Sequence, residues 1–217
     1  VSAALAEALA VRGIRDERVL DAMARVLRAD FVPPSLVEDA DLDAPLPIGY
    51  GQTISQPWVV GYMLQRLALT GGERVLEVGT GSGYQAALLA LLAREVHSVE
   101  VLPELSSRAA AALARALPPA LTAGIHLHVG DGTLGWPDAA PFDAIVVAAA
   151  GPDVPPALTA QLAPGGRLLL PVGPEPWEQV LRLVERRPAG IVEQDLLPVR
   201  FVPLTHGGAG PGVDSGR

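Results

Sequence analysis

Val75-Leu76-Glu77-Val78-Gly79-Thr80-Gly81-Ser82-Gly83 is the stretch on which the fold turns. Arg74–Val78 is a short apolar run of the buried-strand type. The glycines at 79, 81 and 83 separate it from a helical segment that carries the unbroken apolar run Ala86–Ala93. Moving outward, Glu95–Glu100 reads as a second strand, Pro103–Leu117 as a helix with proline in its first turn, Ile125–Val129 as a third strand and Ala144–Ala148 as a fourth. Pro155–Leu162 predicts a short helix, and Pro164-Gly165-Gly166 predicts a turn into the strand Arg167–Pro171. Gln179–Glu185 and Leu197–Val202 are two further strands, close enough in sequence to pair antiparallel at an edge. Strands alternating with helices define the fold class as α/β: a Rossmann-like, doubly wound, mostly parallel sheet with an antiparallel edge.

Before the loop lies a helical and loop preamble. Val19, Leu20, Met23, Val26 and Leu27 fall at i, i+1, i+4, i+7 and i+8, which predicts a helix from an N-cap at Asp16 to a stop at Pro33-Pro34. Ser35–Pro57 reads mostly as loop. A second helix is expected to begin at Ser55–Pro57, with Val59, Met63 and Leu67 on its inner face. The expected organisation is a preamble at 1–70 packed over the ligand-binding end of the sheet, a catalytic body at 71–205, and a disordered glycine-rich tail at 206–217.

Composition narrows the chemistry. The chain has 217 residues, 49% hydrophobic and 18% charged, which excludes an unfolded polymer. Its longest notable apolar run falls far short of the roughly 20 residues a membrane span needs, and no basic segment followed by an apolar one opens it, so a cytoplasmic location without membrane contact is expected. Acidic residues outnumber basic ones 24 to 16, and no basic run exceeds Arg186-Arg187, which argues against nucleic acid or anionic lipid as partner. Without cysteine there is no disulfide, thiolate metal site or thiol nucleophile. Without lysine there is no Schiff base and no P-loop. His126 and His128 alternate along one strand and share a face, but the sequence offers no third metal ligand, so no metal site is expected. His97 and His206 read as structural or exposed.

The glycine loop has two ligand readings. A dinucleotide fingerprint requires glycine where Tyr84 stands, and a bulky residue there obstructs the close helix–strand packing that the fingerprint needs. The alternative is the amino-acid moiety of S-adenosyl-L-methionine. Glu100 ends the second strand 21 residues after Gly79, where a carboxylate can accept both ribose hydroxyls. Asp131-Gly132 follows the third strand, where an acid can meet the adenine amino group, and Asp143 precedes the fourth. Singly, each acid is an ordinary strand-end residue; together they favour the second reading.

From residue 12 to 205 the chain resembles the protein-L-isoaspartate O-methyltransferase family. The most specific segment is Leu46-Pro47-Ile48-Gly49-Tyr50-Gly51-Gln52-Thr53-Ile54-Ser55-Gln56-Pro57, which is similar to that family's signature ahead of the cofactor loop. Gly130-Asp131-Gly132, Phe142-Asp143-Ala144, Leu162–Leu168 and Arg200-Phe201-Val202-Pro203-Leu204-Thr205 resemble its later motifs. The resemblance implies the S-adenosyl-L-methionine-dependent methyltransferase fold. It also implies methylation of the free α-carboxylate of isoaspartyl residues in damaged proteins and peptides by a monomeric enzyme. Carried over by position, Ser55 is the catalytic serine. Thr53, Ile54, Gly79, Thr80, Gly81, Glu100, Val101, Asp131, Gly132 and Thr205 are cofactor-side residues, and Thr53, Ser55 and Val202 meet the substrate. The chain departs at Trp58-Val59-Val60, where some relatives place a histidine near the cofactor; Val60 cannot supply that contact.

The residues suit this chemistry. An α-carboxyl has a reference pKa of roughly 3.3–3.7, so at neutral pH it is already the nucleophile and needs no base. A hydroxyl at Ser55 can hold the carboxylate oxygen that does not attack and so orient the other. Its competing role is an N-cap ahead of Pro57. Ordinary aspartate is ionised too, so selectivity must come from the displaced backbone of isoaspartate. Pro47–Thr53 and Val199–Leu204 are the extended segments able to hydrogen-bond it by strand addition. The rival readings are a small-molecule methyltransferase, a non-catalytic S-adenosylmethionine-binding module and an NAD-dependent oxidoreductase.

Overall fold

In the computed structural model, which describes residues 2–205, the segments around the glycine loop form where their apolar patterns put them. The tail at 206–217, with its histidine, lies outside the described residues. Helices α1 (Ser2–Val11) and α2 (Glu17–Arg25) lead through two 3-10 turns to a hairpin, β1 (Leu46–Gly49) and β2 (Gln52–Ile54), and then to α3 (Pro57–Leu67). The body runs β3 (Arg74–Val78), α4 (Tyr84–Leu92), β4 (Glu95–Glu100), α5 (Pro103–Ala116), α6 (Pro119–Thr122), β5 (Ile125–Val129) and β6 (Phe142–Val147). It closes with α7 (Pro156–Ala160), β7 (Leu162–Val172), β8 (Val180–Arg187) and β9 (Gly190–Pro198).

Seven strands form one sheet in the order β5-β4-β3-β6-β7-β8-β9. The first five in that order pair in parallel, and β8 and β9 add an antiparallel edge. The architecture is the expected α/β class. From β3 the chain winds outward to β4 and β5, then returns to place β6 on the other side of β3. The strand order therefore reverses between β3 and β6, and a crevice opens beyond their C-terminal ends.

Each sheet face has its own core. Val75, Val96, Ala144, Val146, Leu169, Leu181 and Leu183 pack against α1 to α5. Leu76, Val78, Val99, Ile145, Val147, Leu168 and Leu170 pack against Leu158 of α7, with Trp136 alongside. Leu5 and Leu9 of α1, and Val19 and Met23 of α2, belong to the first of these cores, so the preamble and the body bury apolar surface against one another.

Several boundaries differ from the sequence reading. Asp16 does cap α2, accepting the N–H groups of Arg18 and Val19, but the helix ends at Arg25, well before Pro33-Pro34, and Leu27 is 47% exposed. The buried stripe of α3 is Val60, Met63, Leu64 and Leu67, with Val59 only half-buried. The segment read as loop contains the hairpin β1–β2, and α1 was not anticipated. The strand expected at Leu197–Val202 lies instead at Gly190–Pro198 and shares only Leu197 and Pro198 with it, and Pro164-Gly165-Gly166 forms an irregularity inside β7, where its pairing with β6 shifts register.

Candidate active site

The crevice at the strand-order reversal is a cavity. Its floor is the loop after β3: Gly79 donates to the Val99 carbonyl at 2.8 Å, and Ala148, following β6, donates to the Val78 carbonyl at 2.8 Å. Gly79 has φ +91°, a conformation that side chains disfavour, which accounts for glycine at the turn. Gly132 forms part of the wall, and a Cβ there would come within 2.3 Å of Val78 Cγ1. No larger residue fits.

Gly79, Thr80 and Gly81 line the cavity with Glu100 and Val101 from the end of β4. Thr53, Ile54 and Ser55 come from the end of the hairpin, and Val202 and Thr205 from the C-terminal segment. Glu100, 5% exposed, accepts the Gly81 N–H at 2.8 Å on one carboxylate oxygen and the Leu102 N–H at 3.0 Å on the other. Each oxygen keeps a second lone pair for a ligand. Asp131 differs from its neighbours. Its carboxylate accepts both the N–H and the hydroxyl of Thr133, capping the turn Gly132–Leu134, and Gly132 rather than Asp131 faces the cavity. His97, His126 and His128 do not line it.

Sequence reasoning missed other members of the wall, among them Tyr84, Gln85, Ala148 and Leu204. Tyr84 opens α4 and is 1% exposed; its ring meets Phe31 edge-on at 5.7 Å, so the preamble supplies the packing that a glycine would have given a dinucleotide fold. Beneath the loop, the Ser98 hydroxyl donates to Glu77 at 2.5 Å and shares a 2.5 Å hydrogen bond with the Thr80 hydroxyl. Glu77 is wholly buried, and loss of solvent pushes its carboxyl up to about 8, against the opposing pull of the Ser98 bond.

Ser55 lies between β2 and α3. It is not the helix cap: Gln56 holds that position, and Asp43 accepts the Trp58 N–H at 2.8 Å in place of a local side chain. Asp43 also accepts from Gln56 and pairs with Arg12. The Ser55 backbone is held by Arg28, whose guanidinium, 1% exposed, donates to the carbonyls of Ser55 at 3.1 Å, Ala40 at 2.8 Å, Leu42 at 3.3 Å and Ala44 at 2.9 Å. Burial lowers the Arg28 pKa.

A wider groove adjoins the cavity. Thr53, Ser55, Ala148 and Val202 line both. Trp58, Trp177, Arg200 and Phe201 line the groove alone. The segment after β9 is fixed by Val199 donating to the Gln179 carbonyl, by Ala150 donating to the Val202 carbonyl at 2.8 Å and by Leu204 donating to the Ala150 carbonyl at 2.8 Å.

Residues 2–209 match the family model described as Protein-L-isoaspartate(D-aspartate) O-methyltransferase (PCMT). The chain belongs to that family. Among its PCMT relatives, the protein-L-isoaspartate O-methyltransferase of Anaeromyxobacter dehalogenans (strain 2CP-C) is 64% identical over 207 residues, covering 95% of this chain and 98% of the relative. That of Myxococcus xanthus is 56% identical, covering 92% and 94%. A Plasmodium falciparum structure bearing the PCMT name, solved in complex with S-adenosyl-L-homocysteine, superposes with a TM-score of 0.83 at 29% identity over 94% of this chain and 98% of that one. A second structure named protein-L-isoaspartate O-methyltransferase gives 0.85 at 26% identity, over 95% of this chain and 67% of that one.

Proposed function

We propose that the protein transfers the methyl group of S-adenosyl-L-methionine to the free α-carboxylate of L-isoaspartyl residues in damaged proteins and peptides. The observation that carries this is the position of Ser55 on the wall common to the cavity and the groove. A small ligand held over the glycine loop and a peptide lying in the groove would meet there.

The cavity suits the methyl donor on two counts. Glu100 keeps a lone pair on each carboxylate oxygen for a hydroxyl of the ligand, and the positive-φ turn at Gly79 brings bare backbone to the wall. Gly79, Thr80 and Gly81 would hold its amino-acid end, Glu100 and Val101 its ribose, and Gly132 its adenine, on the turn that Asp131 caps, with Thr53, Ile54 and Thr205 closing over it. When bound, S-adenosyl-L-methionine supplies an activated methyl group.

The chain's own task is alignment. Ser55 would donate to one carboxylate oxygen and leave the other pointed along the line of transfer, where reacting atoms need to approach to about 3 Å. The nucleophile arrives ionised, so no side chain has to take a proton. Opposite charges fade as the reaction proceeds, so walls that exclude water favour it. The Val202 N–H, which makes no hydrogen bond among the described residues, would receive the peptide's displaced carbonyl. The same reading makes residues 1–70 a preamble packed on a catalytic body at 71–205, and has the enzyme work as a cytoplasmic monomer without nucleic acid. No helix among the described residues is long and apolar enough to cross a membrane.

Paired peptides test the assignment. With labelled methyl donor, the isoaspartyl peptide is expected to gain a base-labile ester that releases methanol, and its aspartyl twin none. Equal labelling of both, or labelling of neither, rejects it.

A further inference from the structure

The outer edge of the sheet carries a second polar cluster, on the face that packs toward α7 and Trp136. Parallel pairing sets His97 opposite His126 and Val99 opposite His128. Strand alternation then brings Glu95, His97, His126 and His128 to one face. The sequence showed two histidines of this group; the register of β4 against β5 adds the third and the carboxylate.

His97 is the inner member at 7% exposed, its ring stacked 4.7 Å from His126 and 5.3 Å from His128. Its Nε2 lies 3.1 Å from Glu95 Oε1, and His126 Nε2 lies 3.7 Å from the same oxygen. One donor atom from each of Glu95, His97 and His126 falls within 4.8 Å of the other two. We propose that Glu95, His97 and His126 form a binding site for a divalent transition-metal ion of the zinc or nickel type, separate from the methyl-transfer cavity.

Two imidazoles and a carboxylate are a donor set for first-row transition metals; calcium and magnesium prefer oxygen throughout. Bonds of roughly 2.0–2.2 Å in a tetrahedron put ligand atoms about 3.3 Å apart. The two separations from Glu95, 3.1 Å and 3.7 Å, lie on either side of that value. Closing the third requires His126 alone to tilt, and its side chain is 44% exposed.

The surrounding groups are those a metal site needs. His97 Nδ1 lies 3.0 Å from His128 Nε2, so a proton on Nδ1 is accepted there while Nε2 keeps its lone pair for the ion. His128 is itself fixed against Trp136, ring centroids 3.9 Å apart. Arg74 donates to Glu95 Oε2 at 2.9 Å and leaves Oε1 for the metal. The exposed side of His126 leaves a fourth position to water. β5 is the outermost strand, held by one neighbour, and an ion bridging His126 to Glu95 and His97 clips it to β4.

The full chain, freed of metal by dialysis against a chelator, is titrated with Co2+ by visible absorption and with Zn2+ by calorimetry. The absence of cysteine and the presence of only four histidines keep the assignment clean. One equivalent of each ion is expected to bind, with the intense visible band of four-coordinate cobalt, and Zn2+ is expected to raise Tm. H126A and E95Q should each weaken binding at least tenfold and abolish the Tm shift, whereas H206A should change neither. Since His126 is at the surface, the circular dichroism and metal-free Tm of H126A should match the wild type, so that lost binding reads as lost ligation. The absence of saturable binding near one equivalent, binding that survives H126A, or loss of binding in H206A would overturn the proposal. Methyl-transfer assays play no part in the readout, so the metal site and the repair assignment stand or fall separately.

Discussion

Ser55 and Arg28 show what single residues contribute. The Ser55 hydroxyl has no capping duty, since Asp43 performs it, so Ser55→Ala is expected to spare the fold and the affinity for the methyl donor. A hydrogen bond to a charged group is worth about 1.5–3 kcal/mol, so kcat should fall roughly 10- to 150-fold. Comparing kcat with donor affinity by calorimetry checks this; a loss confined to affinity would make Ser55 a donor contact. Glu100→Ala should weaken S-adenosyl-L-methionine and S-adenosyl-L-homocysteine together, because both carry the ribose, and an equal loss on titrating each is the check. Arg28→Ala leaves four carbonyls without their donor and should cost about 3 kcal/mol or more in urea unfolding. Ser55 was readable because it stands in a specific motif. Arg28 was not: its partners are backbone carbonyls, which carry no side-chain identity, and it lies in a stretch whose apolar neighbours dominate the pattern. Asp43 escaped notice for a related reason, as it caps a helix from 15 residues away.

At the scale of elements, the strands around the glycine loop were legible to within a residue or two, because β3 and β4 are short buried runs and β5 is a short segment set between Gly124 and Gly130. The hairpin β1–β2 was not. Its strands of four and three residues are too short to establish alternation, and Gly49, Tyr50 and Gly51 all take positive φ, a turn that composition does not single out. The buried carboxyl at the junction of β3, β4 and α4 gives this scale its prediction. Glu77 holds its proton to about pH 8 in the folded protein but only to its ordinary value, near 4.5, when unfolded. The folded state therefore binds the extra proton between those values, and stability falls as pH rises through that window. Glu77→Gln should remove this slope, measured as urea midpoints at pH 5, 6.5 and 8; an unchanged slope would place the titration elsewhere. The C-terminal segment offers another test. Val202→Pro removes an N–H that makes no hydrogen bond among the described residues, so it should raise the peptide KM with donor affinity unchanged.

For the whole molecule, the α/β class and the reversal of strand order were accessible from the alternation of elements, and the cavity sits at that reversal. What the sequence concealed was how far the preamble enters the core. Leu5, Leu9, Val19 and Met23 lie in the same apolar cluster as Val75, Val96 and Leu169, a shared core between sequence-distant segments that no local pattern announces. A shared core predicts one cooperative unfolding transition, with calorimetric and van't Hoff enthalpies equal; two resolved transitions would mean that the preamble folds independently. The cavity shares this long reach. It is walled at one side by Thr53 and at the other by Thr205, the last residue described. During synthesis, a chain still emerging from the ribosome would therefore have its glycine loop long before it had a closed pocket, and competence to hold the methyl donor would arrive only as the final segment docks.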